Sequence, residues 1–500
     1  MKCLNKLISI NPKNHDAHAN LAACYSYLKD FRLCLRHYKL SKLLNKSTPL
    51  IDGAINYAEA AICDWSQKDN TVNQLYESLI EGIISTAPFN LLCITDNRNK
   101  IRHITEIYSS YYHPTTSEHK FNHTIQNKKI KIGYFSPDLR EHPVGHLMEG
   151  IIKEHDRDHF EIYAFYFGPN IRDKMREQFE HSFDHFFDVN RKSDSEIAEF
   201  ARSHEIDICI DLCGHTADTR LSIYSYRAAP IQAHYLGYSG TLGVNYIDYL
   251  IADQVVIPQD HQDGYCEKIA YLPFFQGNNF KTLNSELTKS RQDYGLPEDA
   301  IVLCSFNQNV KYNPEIFDIW MKILIENPHT VLWLQAHNPV SAKDNILKYA
   351  KKFNIDGTRI IFAERTETID EHINRYKLAD LFVDTFPYNA HTTASDALYA
   401  GLPLVTLAGN NFTSRVAASI LTNLNLSELI CYTKDEYFEK INALCKSPSA
   451  LAELKVKLAH EKSHSIVFDT VYFTRKLEEC YLKMVDNYNN GILDNIVIER

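Results

Sequence analysis

The spacing of apolar positions changes twice along the chain, and the changes divide it. From Asn14 to Asn45 the apolar residues Ala17, Leu21, Ala22 and Tyr25, then Leu33, Leu35, Tyr38, Leu40 and Leu43, fall on two helical stripes parted by a turn at Lys29 and Asp30. Sliding the chain along itself by the period of a tetratricopeptide helix pair sets Leu4 on Tyr38, Ile10 on Leu44 and Asn11 on Asn45. Met1 to Asn11 then reads as the second helix of an earlier repeat, so the array begins in mid-unit. Each repeat buries its face on a neighbour, so an array this short has to pack on the following domain or belong to something longer. An ordinary helical hairpin is the alternative. Residues 46 to 112 continue the helical pattern through Cys63-Asp64-Trp65.

Beyond this region the period shortens to that of strands. Lys129 to Phe135, Phe160 to Phe167, Ile206 to Leu212 and Ile231 to Tyr235 read as strands, with helices near 193–204 and 220–226 between them. A stretch rich in Asn, Thr and Ser, 276–289, reads as a linker. The alternation then restarts, with strands at 301–306, 331–335, 359–363, 381–384 and 404–407 and helices at 314–326, 344–353, 370–378, 392–400 and 415–424. The pattern predicts an α/β protein of two doubly wound, Rossmann-like lobes behind an all-α, tetratricopeptide-like arm. The expected divisions are a repeat remnant at 1–45, a helical linker region at 46–125, a first lobe at 126–285, a second lobe at 286–465, and a C-terminal helix and tail at 466–500. In such folds ligands bind beyond the carboxyl ends of the strands, so the expected active site is a cleft between the lobes.

Composition narrows the function classes. The 500 residues are 44% hydrophobic and 23% charged, an ordinary globular balance. A formal charge of −10 without a basic window argues against general nucleic-acid binding. No apolar run approaches the roughly 20 residues of a membrane helix, and the N-terminus is a poor signal peptide. The 12 cysteines carry no CxxC pair and read as reduced, mostly buried thiols of a cytoplasmic protein.

The motifs lie where strands end. After the strand ending in Asp384, Thr385-Phe386-Pro387-Tyr388-Asn389-Ala390 leads into His391-Thr392-Thr393-Ala394-Ser395-Asp396 at a helix start. Hydroxyls and N–H groups there form an anion site suited to a diphosphate; the alternative is that Thr392 or Thr393 only caps the helix, with Asp396 completing the cap. Phe306-Asn307-Gln308-Asn309-Val310-Lys311 puts a cation after the lobe's first strand, and Arg375 lies one turn past His372. In the first lobe, Asp138-Leu139-Arg140-Glu141-His142-Pro143-Val144-Gly145-His146 follows a strand. His142 is expected to face the cleft, and Pro143 suits a helix's first turn. The His142/His146 spacing lacks the glutamate and third ligand of a zinc site. The segments at 211–216 and 236–241 are rich in glycine but are no dinucleotide fingerprint. Asp156-Arg157-Asp158 precedes a strand, where a solvated loop is a better account than a metal-diphosphate motif.

Together these residues resemble the O-linked N-acetylglucosamine transferase family, particularly its bacterial and SPINDLY-like members. The resemblance runs through Cys63-Asp64-Trp65, the segments at 132–147 and 227–243, FNQNVK at 306–311, and the long segment at 384–419. It implies a GT-B fold and an inverting transfer of a sugar, GlcNAc from UDP-GlcNAc foremost, to Ser or Thr hydroxyls of proteins, with neither metal nor other cofactor. By the same resemblance Gln308 and Lys311 bind the diphosphate, and His391, Thr392 and Thr393 hold phosphate. His372 and Arg375 lie beside the base, Asp396 holds the ribose, Tyr388 and Gly277 line the sugar pocket, and Asp138 and His142 stand near the sugar and the attacking hydroxyl. Lys311 is expected to matter most for leaving-group charge. Two departures stand out. Tyr388 occupies the place of a small cysteine near the acetamido group in the family's animal members. A histidine once considered as general base has no counterpart, only Tyr108 or His103 nearby. The expected partners are the nucleotide-sugar donor, a protein acceptor and a binding partner of the repeat arm. The alternatives are the same fold with another donor sugar or a non-protein acceptor, an inactive helical-repeat scaffold, and a phosphorylase-type enzyme using pyridoxal phosphate.

Overall fold

The structure, a computed structural model, describes residues 1–116, 119–126, 128–277, 289–335 and 339–500. Apart from its ends, the expected linker at 276–289 lies outside the described residues. The helices of the arm are α1 (Lys2–Ile10), α2 (His15–Tyr27), α3 (Phe31–Leu44), α4 (Ile51–Ala61), α5 (Lys68–Ile80), α6 (Pro88–Ile94) and α7 (Arg98–Tyr112). In chain order the strands are β1 (Ile130–Ser136), β2 (Phe160–Tyr166), β3 (His185–Asp188), β4 (Ile208–Asp211), β5 (Ile231–His234), β6 (Tyr249–Ala252), β7 (Lys268–Tyr271), β8 (Ile301–Ser305), β9 (Thr330–Gln335), β10 (Ile360–Ala363), β11 (Leu381–Val383), β12 (Leu404–Leu407), β13 (Ile430–Cys431) and β14 (Ile496–Val497). Among the described residues no helix is long and apolar enough to cross a membrane.

The residues fall into two compact units, both discontinuous in sequence. One comprises Met1–Thr95, Asn284–Ala408 and Glu428–Ala459; the other comprises Asp96–Leu283, Gly409–Ser427 and His460–Arg500.

The first unit joins α1–α6 of the arm to a six-stranded parallel sheet of order β10-β9-β8-β11-β12-β13, and α7 belongs to the second unit. Its central strands are buried along nearly their whole length, as a parallel sheet covered on both faces requires. The Pro314–Glu326 helix starts where its sequence dictates: Asn313 accepts the Ile316 N–H at 3.2 Å, and Pro314 takes the first-turn position, where no N–H is needed. In the arm, α2 and α3 form the expected pair, turning at Lys29 (φ 59°) and Asp30, which accepts the Leu33 N–H at 3.2 Å. α1 has no fully buried residue. The arm packs on a sheet whose first strand, in sequence, begins only at Ile301. Ala22, Phe31, Leu35, Ile51, Ile55 and Ile62 share one core with Val310, from the turn after β8. Asn309 donates to Ala61 O at 3.1 Å, and the Trp65 ring lies 5.2 Å from Phe317 and 4.9 Å from Tyr349. The Cys63-Asp64-Trp65 segment is thus part of this seam.

The second unit holds an eight-stranded parallel sheet of order β14-β7-β6-β5-β4-β1-β2-β3. Its core is built from Ile132, Ile162, Ile208, Ile210 and Ala233, covered on one side by Phe473, Leu477, Tyr481 and Met484 of the Thr470–Asn489 helix. The last strand, β14, pairs with β7 in the register Ile496↔Ala270. The 409–427 segment is fastened here by Asp96, which accepts from the Asn410 N–H at 2.7 Å, the Asn411 side chain at 3.0 Å and the Ser414 hydroxyl at 2.6 Å. Ser419 donates to the buried Asp253 at 2.5 Å, and Thr413 donates to Ser239 O at 2.9 Å.

Candidate active site

In the first unit, chemistry gathers at the carboxyl ends of β8 and β11. Asp384, immediately after β11, is 1% exposed and organises the loop. It accepts from the N–H groups of Thr385 and Ala390 and from the Thr406 hydroxyl, each at 2.7 Å. Asn307 donates to Thr385 Oγ1 at 3.0 Å and accepts from Thr393 Oγ1 at 2.7 Å, tying the end of β8 to the helix Thr392–Tyr399. That helix begins at His391, whose side chain makes no capping bond. Thr393 spends its hydroxyl on Asn307 rather than on a cap, and Asp396 is buried 3.7 Å from His372 Nε2. The capping alternative is therefore not what forms. The N–H groups of Thr392 and Thr393 have no acceptor within the helix and carry the positive end of its dipole, while the Ala394 N–H donates to His391 O at 3.1 Å.

Lys311 closes a single 3₁₀ turn, Asn309–Lys311, after β8. Its ammonium donates to Asn389 O at 2.8 Å and lies 3.9 Å from the Tyr388 ring centroid. Burial pushes its pKa down against the pull of Asp384, while burial pushes the Asp384 carboxyl up. Bringing a diphosphate to this ammonium would push its pKa back up. Gln308, in the same turn, is exposed. Arg375 is 1% exposed, with its guanidinium 4.2 Å over the Phe306 ring. It donates to Glu364 O at 2.8 Å and to His372 Nδ1 at 2.7 Å, which fixes the histidine ring. The unit thus collects Gln308, Lys311, His372, Arg375, Tyr388, His391, Thr392, Thr393 and Asp396 around the ends of two adjacent strands. The arrangement can hold a polyanion at the helix start and beside the ammonium, and can offer aromatic and amide groups to the remainder of the ligand.

In the second unit, the loop after β1 carries Asp138, whose carboxylate accepts from Arg140 at 3.1 Å and lies 3.6 Å from His142 Nδ1. Burial outweighs Arg140 and pushes the Asp138 pKa up to about 6. Burial, helped by Arg140 and His146, pulls His142 down to about 4, so at neutral pH the imidazole is uncharged. Its Nδ1 caps the Pro143–Glu154 helix by accepting the Val144 N–H at 3.3 Å. A neutral imidazole acceptor beside a carboxyl of raised pKa is an arrangement able to take or relay a proton. His146 is held by Glu141 at 2.6 Å. Gly145 admits no side chain, since a Cβ there would lie 2.2 Å from Arg140 O. Asp211, ending β4, accepts the N–H groups of Cys213 and Gly214 and pairs with the buried His234 at 2.8 Å, an internal brace for the glycine loop. Gly277 sits against Ile151 and Phe473 in the core of this unit. Tyr108 lies 5.5 Å from the His215 ring, and His103 is exposed.

Asp156 accepts from the Asp158 N–H at 2.9 Å and from His159 at 2.7 Å, forming a solvated turn ahead of β2. Among the described residues no group of three or more His, Cys, Asp or Glu side chains could hold a metal ion. Sequence reasoning missed Asn307, Asp384 as the organiser of the loop, and Phe89 of α6, whose ring lies 6.0 Å from Tyr388. Asn307 and Asp384 stood in the quoted motifs, but those motifs lie far apart in sequence and nothing local pairs them. Nothing in the sequence marked Phe89.

The profile of glycosyl transferase family 41 matches residues 103–286 and 277–477. An Arabidopsis thaliana protein named a probable UDP-N-acetylglucosamine-peptide N-acetylglucosaminyltransferase, SEC, is 34% identical over 371 residues, covering 73% of this chain and 38% of the relative. A Caenorhabditis elegans UDP-N-acetylglucosamine-peptide N-acetylglucosaminyltransferase is 26% identical, covering 87% of this chain and 49% of its own length. The chain therefore spans less than half the length of either relative. A solved structure of a Thermobaculum terrenum O-GlcNAc transferase mutant superposes with a TM-score of 0.83 at 24% identity, covering 98% of this chain and 94% of that one, which gives the α/β fold as the GT-B type. The chain belongs to glycosyl transferase family 41.

Proposed function

We propose that the protein transfers a sugar, GlcNAc from UDP-GlcNAc foremost, to Ser or Thr hydroxyls of acceptor proteins, with inversion and without a metal ion. The observation that carries this reading is the half-buried Lys311 ammonium in the same loop cluster as the open first turn of Thr392–Tyr399. These groups are suited to the charge that builds on a departing nucleoside diphosphate, the task a divalent cation performs elsewhere. In the step, the bond from the anomeric carbon to the β-phosphate oxygen breaks as the acceptor oxygen bonds to the opposite face of that carbon. The nucleoside diphosphate leaves with the electron pair. The hydroxyl proton departs late, to a modest base or to the leaving phosphate. Asp138 and His142 are our candidates near the sugar and the attacking hydroxyl, and Gln308, His372, Arg375, His391, Thr392, Thr393 and Asp396 for holding the nucleotide. Tyr388 is the candidate for the sugar pocket, whereas Gly277 packs in the core of the second unit. The names of the plant and nematode relatives supply the donor and the peptide acceptor. Transfer from a different donor sugar is the second reading, favoured by the bulk of Tyr388 beside Lys311.

The test is nucleotide release from a panel of UDP- and GDP-sugars, with an extract of host proteins as acceptor and EDTA present. Release is expected with one sugar, unaffected by EDTA, and reduced about 100-fold or more in Lys311→Ala. Release that depends on added metal would sink the metal-independent part, and no release with any donor would sink the activity.

A further inference from the structure

Three aromatic and cationic groups from distant parts of the first unit meet in a line. Phe89 comes from α6 in the arm, Tyr388 from the loop after β11, and Lys311 from the turn after β8. The Phe89 ring meets the Tyr388 ring edge-on, with centroids 6.0 Å apart and planes at 60°. The face of Tyr388 receives the Lys311 ammonium at 3.9 Å, and His391 lies on the same ring with centroids 4.9 Å apart. Besides this face the ammonium has, among the described residues, one carbonyl partner, Asn389 O at 2.8 Å. A cation partly withdrawn from water and given one carbonyl gains from whatever else is electron-rich around it, and an aromatic face serves that role within about 6 Å of its centroid.

We propose that Tyr388 and Phe89 form an aromatic clamp that holds the Lys311 ammonium charged and aimed for the diphosphate, which makes both of them positioning residues. This rests on the reading of Lys311 as the diphosphate-binding cation. Tyr388 provides the π face, and Phe89 fixes the tilt of that ring, so a helix of the arm reaches the chemistry through one intervening side chain. The other titratable groups acting on Lys311 are Asp384, which favours its charge, and the half-buried thiol of Cys93 on α6, itself influenced by Lys68; His391 faces the same Tyr388 ring. Replacing Tyr388 also removes the ring that His391 packs on, whereas replacing Phe89 leaves that ring in place, so a shift shared by both variants reports the clamp. Burial already biases Lys311 toward losing its proton, which makes its charge sensitive to the loss of a favourable contact.

The experiment is a pH titration of the lysine side-chain NMR signals in the full chain labelled with 13C-lysine, the Lys311 signal being assigned by its disappearance in Lys311→Met. UDP affinity is measured by calorimetry across the same pH range. Tyr388→Phe keeps the π face and should leave the Lys311 midpoint in place. Tyr388→Leu should move it down by about half to one pH unit, and Phe89→Ala should move it in the same direction, while Phe89→Leu moves it less. The fall of UDP affinity on the alkaline side should move with the midpoint, a loss of about 3- to 10-fold at a pH above it. Should Tyr388→Leu fail to fold, Phe89→Ala carries the test alone. An unshifted midpoint in the folded variants, with wild type binding UDP, overturns the clamp. A shifted midpoint in a protein that does not bind UDP supports the clamp and instead removes the proposed function.

Discussion

Asp138 is a carboxyl held against its own preference. Its pKa is raised by burial to about 6, so in the folded protein the acid form is favoured over a range where the unfolded chain is already ionised. The stability this lends is complete below pH 4 and is lost as the pH climbs through 6. Asp138→Asn removes the ionisation, and Arg140 loses a charged partner as the offsetting cost. We expect the variant to be more stable than the wild type at pH 7.5 by about 1–2 kcal/mol, with no gain at pH 4, by urea denaturation at both pH values. Turnover should fall in the same variant. A loss of stability at pH 7.5 would mean that the ion pair with Arg140 outweighs burial. His142 behaves in the opposite sense: its depressed pKa contributes stability above pH 6.5 that is lost as the pH falls through about 4.

At the level of elements, local signals were the legible ones. The helix at 314–326 and the strand at 404–407 lie where the sequence placed them, because a cap, a proline and a closed apolar run are all near-neighbour facts. The strands β3, β6 and β7 went unread, though no shorter than β12, and β14 hides in a tail that only its partner defines. The loop cluster was legible in the same partial way. A hydroxyl-rich helix start after a strand announces an anion site, whereas the bond from Thr393 to Asn307 and the contact of Phe89 with Tyr388 exist only once the chain has folded. The tail carries a prediction of its own. Ile498 N–H donates to Tyr271 O at 2.8 Å, and Asn495 accepts the Ile269 N–H at 2.8 Å, so residues 495–498 cover the edge of β7. Deleting residues 491–500 should speed amide hydrogen exchange at Ile269–Tyr271 by about 10-fold or more and promote aggregation on warming, because an open parallel edge invites pairing. Unchanged exchange there would show that the edge does not need the tail.

At the level of the whole molecule, two parallel sheets and a helical arm follow from the alternation along the chain, yet the grouping of segments does not. The arm shares its core with Val310 through apolar residues whose pattern names no partner. The 409–427 segment reads as ordinary helix and loop, and only Asp96, Ser239 and Asp253 show where it is fastened. Each unit therefore draws on three separate stretches. Cutting the chain at 285/286, as a linear reading would suggest, should leave two pieces that show neither a cooperative melt nor UDP binding when made alone, and that recover both when produced together. A cooperative melt from either piece alone would contradict this.

The same interleaving has a consequence during synthesis on the ribosome. The arm emerges well before the sheet it packs on, which starts at Ile301, and the sheet begun at β1 gains its covering helix and edge strand only with the segment His460–Arg500. Neither unit can finish before its late segments have left the ribosome. The nascent polypeptide therefore carries open apolar faces until late in synthesis, and a premature stop before the Thr470–Asn489 helix leaves the second sheet without its covering helix.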